Sequence, residues 1–226
     1  MAIPRFLAMT ADEIRQTQVK PPQTAYLSCH FSLTDSGLTG LPDPSPGWDL
    51  IIVDDRNPIL AHDPELVVTQ LSTLSARRVL LDFQRPPTSQ TASMTAHLVQ
   101  ALPCVVAAQH AGNLDCPVFL PPIPLTDTVG SHLQPWQGRE LWLELALDAA
   151  KITITEAGSV INPILHAQPV FPSHVSRELH CHYHIHVSDR TVDFTLFRTP
   201  EDLQDILEEA NGKISCAVGL YQELGI

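Results

Sequence analysis

Acidic and amide side chains stand at the ends of several apolar runs in this sequence. The run WDLIIVDD ends in Asp54 and Asp55, and the run VLLDFQ ends with Asp82 and Gln84 on either side of Phe83. Carboxyl groups act as general acids and bases, and carboxylates and amides hold polar ligands through hydrogen bonds. The candidate catalytic residues are Asp82, Gln84, Glu144 and Glu223. The candidate ligand-binding residues are Asp54, Asp55, His110, Tyr221 and Gln222.

The segment VLLDFQRP carries the most specific pattern. Side chains alternate along a strand, so Asp82 and Gln84 point the same way and Phe83 points to the opposite face. With predicted helices on both sides, the segment resembles the signature strand of family 18 glycoside hydrolases, which ends in Asp-x-Glu, often with an aromatic residue between the acids. In that family the Glu is the general acid, and the Asp orients the substrate's N-acetyl group, which serves as the nucleophile. The resemblance covers about residues 63–102 and implies a TIM-type barrel that acts on carbohydrate.

Gln84 falls where the family has its general acid, and Leu80 and Arg77 stand where the longer motif has further acids. An amide does not titrate near neutral pH and cannot donate a proton as a carboxylic acid does. The resemblance thus implies a carbohydrate-active protein in which the family's standard mechanism is disabled. Two interpretations follow: a sugar-binding barrel without catalysis, or hydrolysis through another acid such as Glu144 or Glu223.

A second pattern is the segment HCHYHIH, whose four histidines alternate along one face of a predicted strand: His180, His182, His184 and His186. Neutral imidazole is a common zinc ligand, and two histidines at i and i+2 can share one ion. A strand rises about 3.3 Å per residue, so the rest of the row lies too far away to join them. The pair would be completed by other side chains, such as His166, His174 or Glu178. The carbohydrate hypothesis needs no cofactor. It has two alternatives: a hydrolase that binds zinc or a similar divalent ion through this row, and a non-catalytic binding protein on a degenerate barrel.

The chain has 226 residues, of which 25 are acidic and 13 are Lys or Arg, so its formal net charge is −12. Nucleic acids and anionic membranes are bound by concentrated basic surfaces, so we expect neither as a partner. A small molecule or an oligosaccharide is the expected ligand. The sequence has no apolar stretch of transmembrane or signal-peptide length. Its five widely spaced cysteines are typical of free thiols in a reducing cytoplasm, where we expect the protein to reside.

Apolar runs and helices with clear N-caps alternate through the first half of the chain. Asp63-Pro64 and Thr199-Pro200 mark two helix starts. Strand–helix–strand order predicts a parallel sheet with right-handed crossovers. Two hairpins are predicted later in the chain, one pairing 140–147 with 151–158 and one pairing 179–187 with 192–198. If each hairpin counts as one position, the predicted barrel strands are 25–33, 50–55, 79–84, 104–109, 117–121, 140–156, 179–198 and 214–220.

We therefore predict a single α/β domain over 1–226, a small irregular TIM-type (β/α)8 barrel in which hairpins replace some helices. Residues 1–23 are predicted to form an N-terminal helix and a Pro-rich lead-in. An open α/β sheet with an antiparallel extension is the alternative. In both architectures ligands bind beyond the carboxyl ends of the strands, where the candidate residues lie.

Overall fold

The computed structural model describes residues 2–17, 23–43, 47–164 and 172–224. Its strands are β1 (Arg5–Met9), β2 (Thr24–Phe31), β3 (Leu38–Thr39), β4 (Leu50–Asp54), β5 (Arg78–Asp82), β6 (Cys104–Ala107), β7 (Val118–Leu120), β8 (Leu141–Leu145), β9 (Ala149–Thr155), β10 (Gly158–Pro163), β11 (His174–Ser176), β12 (Cys181–Val187), β13 (Thr191–Phe197) and β14 (Cys216–Leu220). Its helices are α1 (Ala11–Gln16), α2 (Pro64–Thr73), α3 (Ser89–Ala101), α4 (Ala108–Ala111), α5 (Val129–Leu133), α6 (Pro200–Glu209) and α7 (Tyr221–Leu224), with a short 3-10 helix at Gln134–Trp136.

Eight parallel strands close into a barrel in the order β1-β2-β4-β5-β6-β7-β8-β14. The closing strand is β1, where Arg5 lies opposite Ala217 of β14 and Leu7 lies opposite Thr24 of β2. The short β3 runs antiparallel to β2 outside the closed ring. The TIM-type barrel is therefore confirmed. The open-sheet alternative is wrong, because the first and last parallel strands pair with each other.

Two apolar layers hold the barrel together. One fills the barrel interior and includes Leu50, Leu80, Trp142 and Val218. The alternate residues of the same strands, such as Leu81, face outward and pack with apolar residues of α2, α3 and α6. Because both faces of the strands are covered, the strands appear in the sequence as continuous apolar runs.

Helices on the outside of the barrel return the chain to its base. The side chain of Asp63 caps α2 by accepting a hydrogen bond from the Glu65 backbone, and Thr199 and Asp202 form a capping box at the start of α6. Both helix starts agree with the sequence prediction. Since these crossovers keep successive strands parallel, the carboxyl ends of the eight strands share one rim.

Between β8 and β14 the chain leaves the barrel and forms a five-stranded antiparallel sheet in the order β10-β9-β13-β12-β11, which we call the inserted sheet. The predicted hairpin β12–β13 exists, but it belongs to this sheet and not to the barrel wall. The predicted pairing of 140–147 with 151–158 is wrong, because β8 pairs with β7 and β14, and β9 pairs with β10 and β13. The two barrel positions predicted over 140–156 and 179–198 therefore reduce to one strand, β8.

The missing barrel strand is β1, in a segment that the sequence analysis assigned to a helix. The chain forms a strand at Arg5–Met9 and a helix only at Ala11–Gln16. The strand is stabilised by neighbours on both sides, and such tertiary pairing leaves little trace in the local sequence. The predicted Pro-rich lead-in at Pro21 and Pro22 lies outside the described residues.

The five cysteines are free, as predicted, and four of them are buried. Burial raises the pKa of Cys29 and of Cys104 to about 12, so these side chains remain thiols at neutral pH and act as small apolar groups. Within the described ranges of the chain, no helix has the length and apolar character needed to cross a membrane.

Candidate ligand-binding site at the barrel mouth

The inward face of the barrel changes from apolar to acidic at the carboxyl ends of its strands. Asp82 lies two residues beyond the inward-facing Leu80, and Asp54 is its direct neighbour across the β4–β5 pair. Glu144 lies two residues beyond the inward-facing Trp142 on β8. Alternation along the strands therefore turns all three carboxyl groups toward the mouth of the barrel.

Asp82 and Gln84 contact each other at the end of β5, where the Gln84 side-chain amide donates a hydrogen bond to Asp82 Oδ1. Phe83, between them, is fully buried in the outer apolar layer. Burial raises the pKa of Asp82 above its ordinary value; the Gln84 hydrogen bond opposes this, and repulsion from Asp54 and Asp55 reinforces it. The pair offers a ligand the free oxygen of the Gln84 amide and the remaining lone pairs of the Asp82 carboxyl group.

His30 is a residue of this site that the sequence analysis missed. Its Nδ1 lies 3.2 Å from Asp54 Oδ2, and Arg56 Nη2 lies 2.9 Å from the same oxygen. His30 reaches the mouth because the register of β2 shifts between Tyr26 and Cys29, and this bulge reverses the alternation of the strand. No residue pattern in the sequence marks the bulge.

Asp55 lies below the rim, with only 2% of its surface exposed. Its carboxylate accepts hydrogen bonds from the backbone N–H groups of Gln84 and Arg85, at 2.7 and 3.0 Å. Arg85 Nε also donates to the Asp55 carbonyl oxygen at 2.8 Å. Because Asp55 is buried and satisfied by the protein, it positions the loop that carries Gln84.

His110 lies in the outer layer, where its ring packs edge-to-face on Phe83. Its Nε2 is 2.9 Å from the Arg85 carbonyl oxygen, and its buried Nδ1 has no hydrogen-bond partner among the described residues. The neighbouring Gln109 donates from Nε2 to the Phe83 carbonyl oxygen at 2.6 Å. These contacts tie α4 to the loop after β5, so His110 acts on the mouth through that loop.

Glu144 is the acid with the largest pKa change at the mouth. Burial raises its pKa from the ordinary 4.5 to about 8, and repulsion from Asp82, Asp148 and Glu223 adds to the effect. Within the described part of the chain, no group donates a hydrogen bond to the Glu144 carboxyl group. Glu144 therefore keeps its proton at neutral pH.

Asp148, in the link from β8 to β9, was not singled out from the sequence. Burial raises its pKa, nearby Arg198 lowers it, and Glu223 raises it further. The guanidinium of Arg198 lies 4.0 Å from Asp148 and is almost fully buried. It donates to the carbonyl oxygens of Pro124 and His180, both at 3.3 Å. Arg198 therefore links the inserted sheet to the barrel rim.

The three candidates at the end of the chain lie on α7, directly after β14. Glu223 Oε2 accepts a hydrogen bond from the Leu147 backbone at 3.0 Å, and its charge contributes to the raised pKa of Glu144. Tyr221 and Glu223 line a groove of about 530 Å³ between β1, β14 and α6, and Gln222 is exposed. Glu223 is thus the member of this set that acts electrostatically on the mouth.

The histidine row lies on and before β12 of the inserted sheet. His180 Nε2 is 2.7 Å from Glu209 Oε2 on α6. His182 Nδ1 is 2.7 Å from Ser173 Oγ, and its ring stacks on Phe197. The first two histidines therefore contact different neighbours and do not point at a shared ion.

The ring of His184 stacks on Phe197 as well, and His186 is exposed. Among the residues that the structure describes, no three His, Cys, Asp or Glu side chains are arranged to hold a metal ion. The possible ligand His166 lies outside the described residues. The described residues therefore do not assemble the metal site that the histidine row suggested.

Solved structures share this fold, whereas no protein-family model and no curated protein sequence matches the chain. The spore cortex-lytic enzyme SleL of Bacillus megaterium QM B1551 superposes with a TM-score of 0.55 at 9% identity, over 99% of this chain and 71% of that one. The class V chitinase of Nicotiana tobaccum gives a TM-score of 0.59 at 9% identity, over 97% and 93%. The family 18 chitinase of Cycas revoluta gives 0.58 at 12%, over 96% and 94%.

Both chitinases are mutants that include a Glu-to-Gln replacement, and both are complexes with a tetrasaccharide, NAG4 or (GlcNAc)4. Likeness at such low identity concerns the fold and leaves activity to be argued from the site. The chain therefore has a closed, irregular TIM-type barrel of the kind found in family 18 chitinases and SleL enzymes.

Proposed function

We propose that this protein binds an oligosaccharide containing N-acetylglucosamine at the barrel mouth and does not hydrolyse it. The observation that carries the proposal is the contact between Asp82 and Gln84 at the end of the fourth barrel strand. The spacing of the two residues is that of the Asp-x-Glu pair in the family 18 resemblance, with an amide where the acid would stand.

The groups around this pair suit a sugar. Asp82 can accept a hydrogen bond from a hydroxyl or amide group of the ligand, and the Gln84 carbonyl oxygen can accept another. Asp54 is already oriented by His30 and Arg56. Gln84 cannot protonate a glycosidic oxygen, so the bond between two bound sugars stays intact at this position.

The structural neighbours support this class of ligand. The two chitinase complexes contain oligomers of N-acetylglucosamine, and the SleL enzyme is named as cortex-lytic. A chitin-type oligomer and a peptidoglycan-type fragment are thus two forms of one ligand class, and the experiment below compares them.

Isothermal titration calorimetry with (GlcNAc)4 and with a soluble peptidoglycan fragment tests the proposal. We expect wild-type protein to bind at least one of them and Asp82→Ala to bind it about tenfold or more weakly, because a hydrogen bond to a charged group is lost. Asp205→Ala, on the exposed side of α6, is the matched control and should bind normally. Chromatography after a long incubation should find intact ligand. Failure of wild-type protein to bind either glycan contradicts the proposal, and shortened products contradict its non-hydrolytic part.

A further inference from the structure

Glu144 faces Asp82 across the barrel mouth. In the closed strand order β5 and β8 are separated by β6 and β7, so the two strands stand on different sides of the ring. Both residues follow inward-facing apolar side chains, Leu80 and Trp142. A ligand that contacts Asp82 and fills the mouth therefore meets Glu144 on the far side.

The charged groups around Glu144 are mostly acids. Asp82 on β5, Asp148 after β8 and Glu223 on α7 all repel its ionised form. The basic side chains near the rim contact other groups. His30 and Arg56 contact Asp54, and Arg85 donates to the Asp55 carbonyl oxygen. Arg198 lies beside Asp148 and donates to carbonyl oxygens.

A half-buried carboxyl group with acidic neighbours and no donor avoids ionisation, which is consistent with the raised pKa of about 8. A neutral sugar brings no cation, and it displaces water that would solvate a carboxylate. Ligand binding therefore favours the protonated form still further.

We propose that Glu144 is a specificity-determining residue that holds its proton and donates a hydrogen bond from its carboxyl group to an oxygen of the bound oligosaccharide. This inference rests on the proposed function. It has one direct consequence: the oligosaccharide is bound while Glu144 is protonated and is released as the pH rises and the proton is lost.

The experiment measures the Kd of (GlcNAc)4 by calorimetry from pH 6 to pH 10 for wild-type protein, Glu144→Gln and a control, Glu156→Gln, at the exposed turn between β9 and β10. One linked proton predicts that the wild-type Kd rises about tenfold for each pH unit above the pKa of Glu144. The amide of Glu144→Gln donates at every pH, so its Kd should stay level. The control should behave as wild type. A wild-type Kd that stays level or falls toward pH 10 overturns the inference, as does the same rise in Glu144→Gln.

A ligand-free measurement separates this inference from the proposed function. In protein labelled with 13C at the Glu carboxyl carbon, the NMR resonance absent from Glu144→Gln should titrate near the raised pKa of about 8. Titration near the ordinary 4.5 refutes the inference even where the oligosaccharide binds. Titration near 8 without binding of any glycan refutes the proposed function, and the ligand contact falls with it.

Discussion

Replacing Glu144 with a side chain that does not titrate should change how the stability of the protein depends on pH. The pKa of Glu144 is 4.5 in an ordinary setting and about 8 in the folded protein. Between these values the folded state keeps a proton that the unfolded state has lost, so the free energy of unfolding falls as the pH rises. The loss is about 1.4 kcal/mol per pH unit and on the order of 5 kcal/mol across the window. Glu144→Gln has no proton to lose and should lack this slope.

Urea unfolding followed by tryptophan fluorescence measures the effect, since Trp48 and Trp142 are buried in the folded protein. The stability of wild type minus that of Glu144→Gln should decrease steadily between pH 5 and the raised pKa, and should level off above it. The raised pKa values of Asp82 and Asp148 give both proteins a further slope of the same sign, which the difference removes. Glu156→Gln should parallel wild type. Equal slopes for wild type and Glu144→Gln would refute the account of a half-buried carboxyl group that keeps its proton.

Three further substitutions test other parts of the structure. Gln84→Glu places a second carboxyl group beside Asp82, and the two groups share one proton. We therefore expect this variant to cleave chromogenic N-acetylglucosamine oligomers that wild type leaves intact; binding without cleavage would count against Gln84 occupying the position of the general acid. Asp55→Ala leaves two buried N–H groups without an acceptor, so urea unfolding should show a loss of about 3 kcal/mol, and a loss below about 1 kcal/mol would contradict its positioning role. Gly219→Ala adds a methyl group that overlaps Leu224 and lies 3.0 Å from the Leu145 carbonyl oxygen, so unfolding should show a loss of about 1–3 kcal/mol; an unchanged stability would mean that α7 moves freely.

Much of the barrel could be predicted because its central strands are covered on both faces. The runs that became β4, β5 and β6 are apolar without alternation, and Asp54 and Asp82 mark where two of them leave the core. The polar ends of these strands therefore mark the rim of the barrel in the sequence itself. Helices that begin with an N-cap residue and Pro in the first turn, such as α6, could also be predicted from the sequence.

The remaining features depend on contacts between distant parts of the chain. The segment Arg5–Met9 is a strand because β2 and β14 flank it in the barrel. One of these neighbours, β14, lies far from it in the sequence. The run through Glu144 was read as half of a hairpin, although β8 and β9 lie in different sheets. His30 reaches the site because of the bulge in β2, and Asp148 lies near Glu223 because it stands in the link between the barrel and the inserted sheet. Local periodicity records none of these arrangements.

The seam between β1 and β14 has a consequence for biosynthesis. Because Arg5 lies opposite Ala217, this part of the wall forms only after residue 217 has left the ribosome, however early β2 to β7 assemble. Until then β1 and β8 each present an unpaired strand edge, which is a template for joining other chains. Folding of this protein is therefore most exposed to aggregation before β14 has been synthesised, and a nascent chain halted before β14 should be a preferred client of chaperones.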